Sequence, residues 1–154
     1  MKSAKDEATQ RYLLLFKLDA AALMGRMRDH KRDYIEIFAM RRTREHFPAI
    51  FRHRYGRASM HELAHCSSET ILALDQFYQL ADELSWYLYS TEDMPSNLED
   101  YVNRVVKRLE KLHATLDIFL EAEMSLDDAK TVSRSEAPVE DPSEFVLGGK
   151  DDND

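Results

Sequence analysis

The sequence predicts an all-α fold, an antiparallel bundle of three long helices followed by a disordered acidic C-terminal tail, and three observations carry that prediction. Hydrophobic residues make up 44% and charged residues 32% of the 154, with only four Gly and four Pro, too few turn formers for a many-stranded sheet. Apolar residues recur at spacings of three and four over long stretches. Beyond about Ser125 that periodicity stops and the chain turns polar, acidic and punctuated by Pro138, Pro142, Gly148 and Gly149. The natural division is a helical domain over 1–125 and a tail over 126–154.

The first helix opens near Asp6 and carries Leu13, Phe16, Ala20, Leu23, Met24 and Met27 on one stripe. A charged run from Arg26 to Asp33 interrupts it, and Tyr34, Ile35 and Phe38 resume it on nearly the same phase. That predicts one long helix to about Glu45, bent near Gly25. Pro48 and Gly56 then bracket FPAIFRHRYGR, where a missing donor and a permissive backbone predict a loop or short irregular turn.

Ser59 and Glu62 have the spacing of a capping box and predict the start of a second helix. Its seam is Leu63, Ser67, Thr70, Leu74, Phe77, Ala81, Leu84 and Leu88, a coiled-coil-like alternation that should end near Thr91, ahead of Pro95. Ser96 and Glu99 form a second box, and Leu98, Val102, Val105, Leu109, Leu112, Leu116 and Phe119 make the third seam. The tail has too little apolar surface to offset chain entropy. Its one apolar island, Phe145 to Leu147, has the composition of a short docking motif or a bland exposed cluster.

Charge and cysteine usage bound the function. A single Cys66 forms no intrachain disulfide, so a reducing cytoplasm is the expected location. The N-terminus lacks a signal-peptide apolar run, and no stretch reaches the roughly 20 apolar residues a membrane span needs. Net charge is −8, yet residues 26–57 hold ten Lys or Arg against four acids, while 117–154 hold three against twelve. The acidic tail and the basic segment should attract each other weakly.

His61, Glu62 and His65 spell HExxH, and this five-residue match resembles the zinc-binding helix of zincin peptidases, where two imidazoles one turn apart hold the metal. With Glu110 and His113 the chain also has two ExxH pairs, a ligand pattern that resembles carboxylate-bridged di-iron bundles. Helical phase speaks against both, because His61 and His65 lie opposite Leu63 and Leu74, Glu110 is off its seam, and only His113 borders a core face. A fourth helix is missing as well. His113 and Asp117, one turn apart, have hydrogen-bonding spacing. Cys66 follows His65 directly and so lies on another face, and no Gly-rich phosphate loop, nucleophile elbow or CxxC appears.

Two surfaces remain. Arg41, Arg42, Arg44, Arg52, Arg54 and Arg57 are interleaved with Phe47, Phe51 and Tyr55, a composition that suits an acidic protein partner, a nucleic acid or a solvated loop. The overall acidity disfavours nucleic acid. Trp86, Tyr87 and Tyr89 stand with Leu88 at the end of the second helix and, with Leu72, widen its apolar surface beyond one stripe. Such a patch serves self-association or packs on the first helix. The expectation is therefore a non-enzymatic, homodimeric protein-binding module of adaptor, chaperone-like or regulatory type that needs no cofactor. The alternative is a zinc or di-iron bundle using His61, Glu62, His65, Glu110 and His113.

Overall fold

In a computed structural model that describes residues 4–39, 44–45 and 47–135, the apolar stripes become helices and no strand forms among the described residues. The elements are α1 (Ala4–Asp29), α2 (Lys31–Ala39), the single-turn α3 (Phe47–Ile50), a 3-10 turn (Tyr55–Arg57), the single-turn α4 (Met60–Leu63), α5 (Ser68–Ser90) and α6 (Pro95–Ser135). No helix among them is long and apolar enough to cross a membrane.

The α1 stripe is buried as its spacing requires, from Leu13 through Met27. Helix α5 buries Leu74, Phe77, Ala81, Leu84 and Leu88 together with Ala73, Tyr78 and Leu80, a face wider than one seam. The extra width has a cause. Tyr78 turns toward the segment after α3, where its ring stacks on Tyr55. On α6 the core likewise takes in Val106 and Leu120, while the seam positions Leu112 and Phe119 are only partly covered. That helix packs against both α1 and α5, so its buried face rotates to serve two neighbours. Each buried Leu contributes about 1.5 to 3 kcal/mol relative to exposure.

Side-chain pairs give the relative direction of the helices. Lys17 donates to Glu121 at 2.6 Å and Arg28 to Glu110 at 3.2 Å, so numbers fall along α6 as they rise along α1. Ser67 meets Glu123, Phe77 meets His113 and Tyr87 meets Tyr101, the same opposition between α5 and α6.

Three local expectations are corrected. The first helix does not run unbroken to Glu45. It is interrupted at His30, and Glu45 lies in a turn. At Gly25 the helix continues, and a Cβ there would meet nothing within 4 Å. At the interruption the Tyr34 hydroxyl donates to the Met27 carbonyl at 3.2 Å, adding a side-chain bond to the backbone ladder beside His30. The second long helix starts at Ser68, not Ser59. Ser59 caps only α4 and makes no side-chain bond, whereas the Ser67 hydroxyl accepts from the Thr70 amide. Glu123 of α6 reinforces this second start, accepting from the Ser67 amide at 2.6 Å and the Thr70 hydroxyl at 2.5 Å. A carboxylate there suits the positive end of the helix dipole. Lastly, α6 continues past Ser125 to Ser135, so the first part of the expected tail is helical. The remainder of the tail, with Phe145 to Leu147, lies outside the described residues.

Candidate functional site

The segment from Arg44 to Ala58 is seated on the helices by bonds to its backbone and by its rings. From α1, Arg26 reaches across with Nε donating to the Ile50 carbonyl at 3.0 Å and Nη2 donating to the Arg52 carbonyl. Asp19, two turns earlier, accepts from the Arg54 amide at 3.1 Å and from the Tyr78 hydroxyl of α5 at 2.8 Å. Tyr55 stacks on Tyr78 with rings 4.6 Å apart and 2° from parallel, and its other neighbour is Phe16. His53 lies against Tyr78 and reaches Asp82 at 2.8 Å through Nε2. Phe47 and Phe51 close on Tyr34, at 5.6 and 5.8 Å between ring centroids.

Burial pushes the Tyr78 phenol far above its ordinary value, and the hydrogen bond and charge of Asp19 push it further. Tyr34 is raised chiefly by burial, with Asp33 adding to it. Both hydroxyls therefore stay protonated donors across the physiological range.

What this seating leaves outside is cationic. Arg52, Arg54 and Arg57 are exposed, and among the described residues their guanidiniums have no hydrogen-bond or ion-pair partner. With Arg26 and His53 they surround a cavity of about 460 Å³ whose one carboxylate among the described residues is Asp19. Leu18 and Ala22 of α1 form an apolar wall on the same cavity, and Leu18 is 58% exposed. Because Arg26 bonds to neutral carbonyls, its charge is left uncompensated by those contacts.

The residues singled out in the sequence are thus divided. Arg41 and Arg42 lie outside the described residues. Arg44 turns to the end of α5 and donates to the Tyr89 carbonyl at 2.9 Å. Phe47 and Phe51, 0% and 5% exposed, are core residues whose rings are buried, and Tyr55 is half-buried. Trp86 and Tyr89 stay 71% and 60% exposed on α5. Tyr87 does not join them. Its ring packs on Tyr101 of α6 at 3.8 Å and its hydroxyl donates to Asp93 at 2.7 Å.

The five residues of the metal pattern are not brought together. His61 sits on α4 and His65 on the turn after it, with exposed rings 5.2 Å apart, so the expected continuous helix through HExxH is absent. Glu62 lies near Tyr12, whose phenol is raised by burial and then by the Glu62 charge. Glu110 pairs with Arg28, which places it about 24 Å further along α1 at 1.5 Å of rise per residue. His113 is half-buried against Phe77, and its distance of 3.9 Å to Asp117 is too long for the hydrogen bond the spacing suggested. Among the described residues no group of three or more His, Cys, Asp or Glu is placed to hold a metal ion. Cys66 is buried.

Asp19, Arg26 and Tyr78 hold the segment, and sequence reasoning did not pick them out. One signal was available for Tyr78, because consecutive large rings at Phe77 and Tyr78 on a helix cannot both occupy one seam. Compared with protein-family models, with curated proteins and with solved structures, the chain matches none.

Proposed function

We propose that the chain is a non-enzymatic protein-binding module, an antiparallel three-helix bundle acting as an adaptor, chaperone-like or regulatory subunit in the cytoplasm. Its partner-facing surface is the cationic cavity of Arg52, Arg54 and Arg57, and an acidic segment of another protein is its ligand. The observation that carries this reading is the combination of a backbone pinned from α1 and α5 with three arginines that have no partner among the described residues. Pinning the backbone removes part of the ordering cost of binding. The buried rings of Phe47 and Phe51 favour a protein over a nucleic acid, since they offer no stacking face.

Self-association belongs to the same reading. Trp86 and Tyr89 are neighbours one turn apart on α5, and exposed aromatics of this kind anchor interfaces. The test has two arms. A fluorescein-labelled peptide rich in Glu and Asp is titrated into the intact protein and into the variant with Arg52, Arg54 and Arg57 all changed to Ala. Binding should weaken by about tenfold or more in the variant and weaken with added salt. Equal affinity for the two proteins would remove the cavity from the reading. In the second arm, sedimentation of wild type and of Trp86→Ala with Tyr89→Ala compares their masses, and a wild-type monomer would exclude the dimer.

A further inference from the structure

The ligand chemistry of the cavity can be named more closely, on the condition that the protein-binding reading above holds. We propose that the cavity of Arg26, Arg52, Arg54 and Arg57 takes a phosphate monoester carried on a side chain of a peptide.

Charge is the first ground. Among the described residues four guanidiniums face one carboxylate, and the Asp19 oxygen Oδ2 is already engaged by the Arg54 amide and the Tyr78 hydroxyl. A single carboxylate from a Glu or Asp ligand would leave most of that positive charge unmatched. A phosphate monoester brings about −1.5 to −2 at neutral pH and three acceptor oxygens.

Geometry is the second. Guanidinium donors form a planar fork that meets two oxygens of a phosphate at once, and several forks can share one phosphoryl group. The loop that presents them is fixed before any ligand arrives. Arg26 holds the carbonyls on either side of Phe51, Asp19 holds the amide of Arg54, and Tyr55 is clamped against Tyr78. The guanidiniums of Arg52, Arg54 and Arg57 therefore project from an ordered backbone, and no residue of the described chain consumes them.

The third ground separates a peptide from a nucleic acid. Leu18 and Ala22 wall one side of the cavity, an apolar surface that suits a side chain next to the phosphorylated residue. Single-stranded nucleic acids need accessible rings on which bases stack. Here Phe47 and Phe51 are buried and one face of Tyr55 is covered by Tyr78. A cavity of about 460 Å³ is also large enough for a phosphorylated side chain with part of its neighbour.

The experiment uses the full chain and three labelled peptides identical except at one position, which carries phosphoserine, Glu or Ser, each followed by Leu. The phosphoserine peptide should bind about tenfold tighter than the Glu peptide, and inorganic phosphate should compete for it. A second variant set changes Arg52, Arg54 and Arg57 to Lys, which keeps the charge and discards the fork. It should lose the preference for phosphoserine over Glu while still binding both weakly. Circular dichroism of the Lys variant checks that the fold is kept, and a wild-type phosphate titration read by the resonances of the guanidinium groups checks the site without any variant. Phosphoserine and Glu peptides bound equally would overturn the phosphate assignment and leave the protein-binding reading standing. Failure of all three peptides would overturn both. A labelled single-stranded oligonucleotide binding more tightly than the phosphopeptide would also overturn the proposal, in favour of nucleic acid.

Discussion

The seam between α5 and α6 and the seat of the basic segment are both well packed, but they are held by different physics. Along the seam, Leu74, Phe77, Leu84 and Leu88 face Leu98, Val102, Leu109 and Leu116, and burial of apolar surface accounts for the contact. At the seat, Arg26, Asp19, Tyr34 and Tyr78 make directed bonds to backbone groups or to each other over long sequence separations. Burial is tolerant and additive, whereas directed bonds depend on each partner's position and protonation. The two regions should therefore fail under different perturbations.

The seam should respond most to loss of volume. Leu74→Ala and Leu109→Ala each remove a fully buried side chain, and each should cost about 2 to 5 kcal/mol by chemical denaturation. Peptide binding, measured under conditions where both variants remain folded, should be unchanged. A cost below about 1 kcal/mol at both positions would mean these leucines do not form the core contact.

Alkaline pH should select the seat. Tyr34 and Tyr78 have folded-state values raised above the ordinary 10.0 of an exposed phenol. Above that pH the unfolded chain releases these protons while the folded chain keeps them, so the folded state binds more protons and loses stability as pH rises. Stability should be level below about pH 10 and then fall by up to about 1.4 kcal/mol per pH unit for each tyrosine. Tyr12, Tyr55 and Tyr87 are raised as well and act with the same sign. Tyr78→Phe should flatten the alkaline limb measured by denaturation at stepped pH, and an unchanged slope would exclude Tyr78 as a contributor.

Arg26 tests the seat at neutral pH. Changing it to Met keeps the stem and deletes the donors to the Ile50 and Arg52 carbonyls, which should cost about 1 to 3 kcal/mol. Peptide affinity should fall by more than the loss of one distant charge explains, because the backbone under Arg52 and Arg54 is released. Affinity falling no further than in Arg57→Ala would mean that Arg26 contributes charge alone.

The same contrast sets what was legible in the sequence. Apolar periodicity reports burial, so the stripe of α1 and most of the seams of α5 and α6 could be read, while Leu112 and Phe119 proved only partly covered and Tyr78, Val106 and Leu120 joined the core from outside them. The interruption at His30, the start of α5 and the seat involve Tyr34, Glu123, Asp19 and Arg26, each acting on a partner at least seven residues away. No local pattern announces such a bond. For the site, the arginines were visible as charge, but which aromatics would turn inward was not inferred. The spacing of Phe47, Ile50 and Phe51 at i, i+3 and i+4 held that information, because it is the signature of one buried helical face.

The smallest effect should come from the caps, and it separates two serines that look alike in sequence. Ser67 accepts from the Thr70 amide at 3.3 Å, donates to the Thr70 hydroxyl oxygen at 3.0 Å, and shares Glu123 with it. Ser59 precedes a single turn of helix and its hydroxyl makes no capping bond, although Glu62 stands at capping-box spacing. Ser67→Ala should therefore cost about 0.5 to 2 kcal/mol, the usual range for losing an N-cap, while Ser59→Ala should stay within about 0.5 kcal/mol of wild type. Glu123→Ala should resemble Ser67→Ala in sign, since it strips the acceptor from the Ser67 amide and the Thr70 hydroxyl together. Because Glu123 lies on α6, a double-mutant cycle between Ser67→Ala and Glu123→Ala should show coupling of about 0.5 kcal/mol or more. Equal costs at Ser59 and Ser67 would return the start of the helix to Ser59 and restore the continuous HExxH turn, whereas unequal costs without coupling would leave Ser67 a purely local cap.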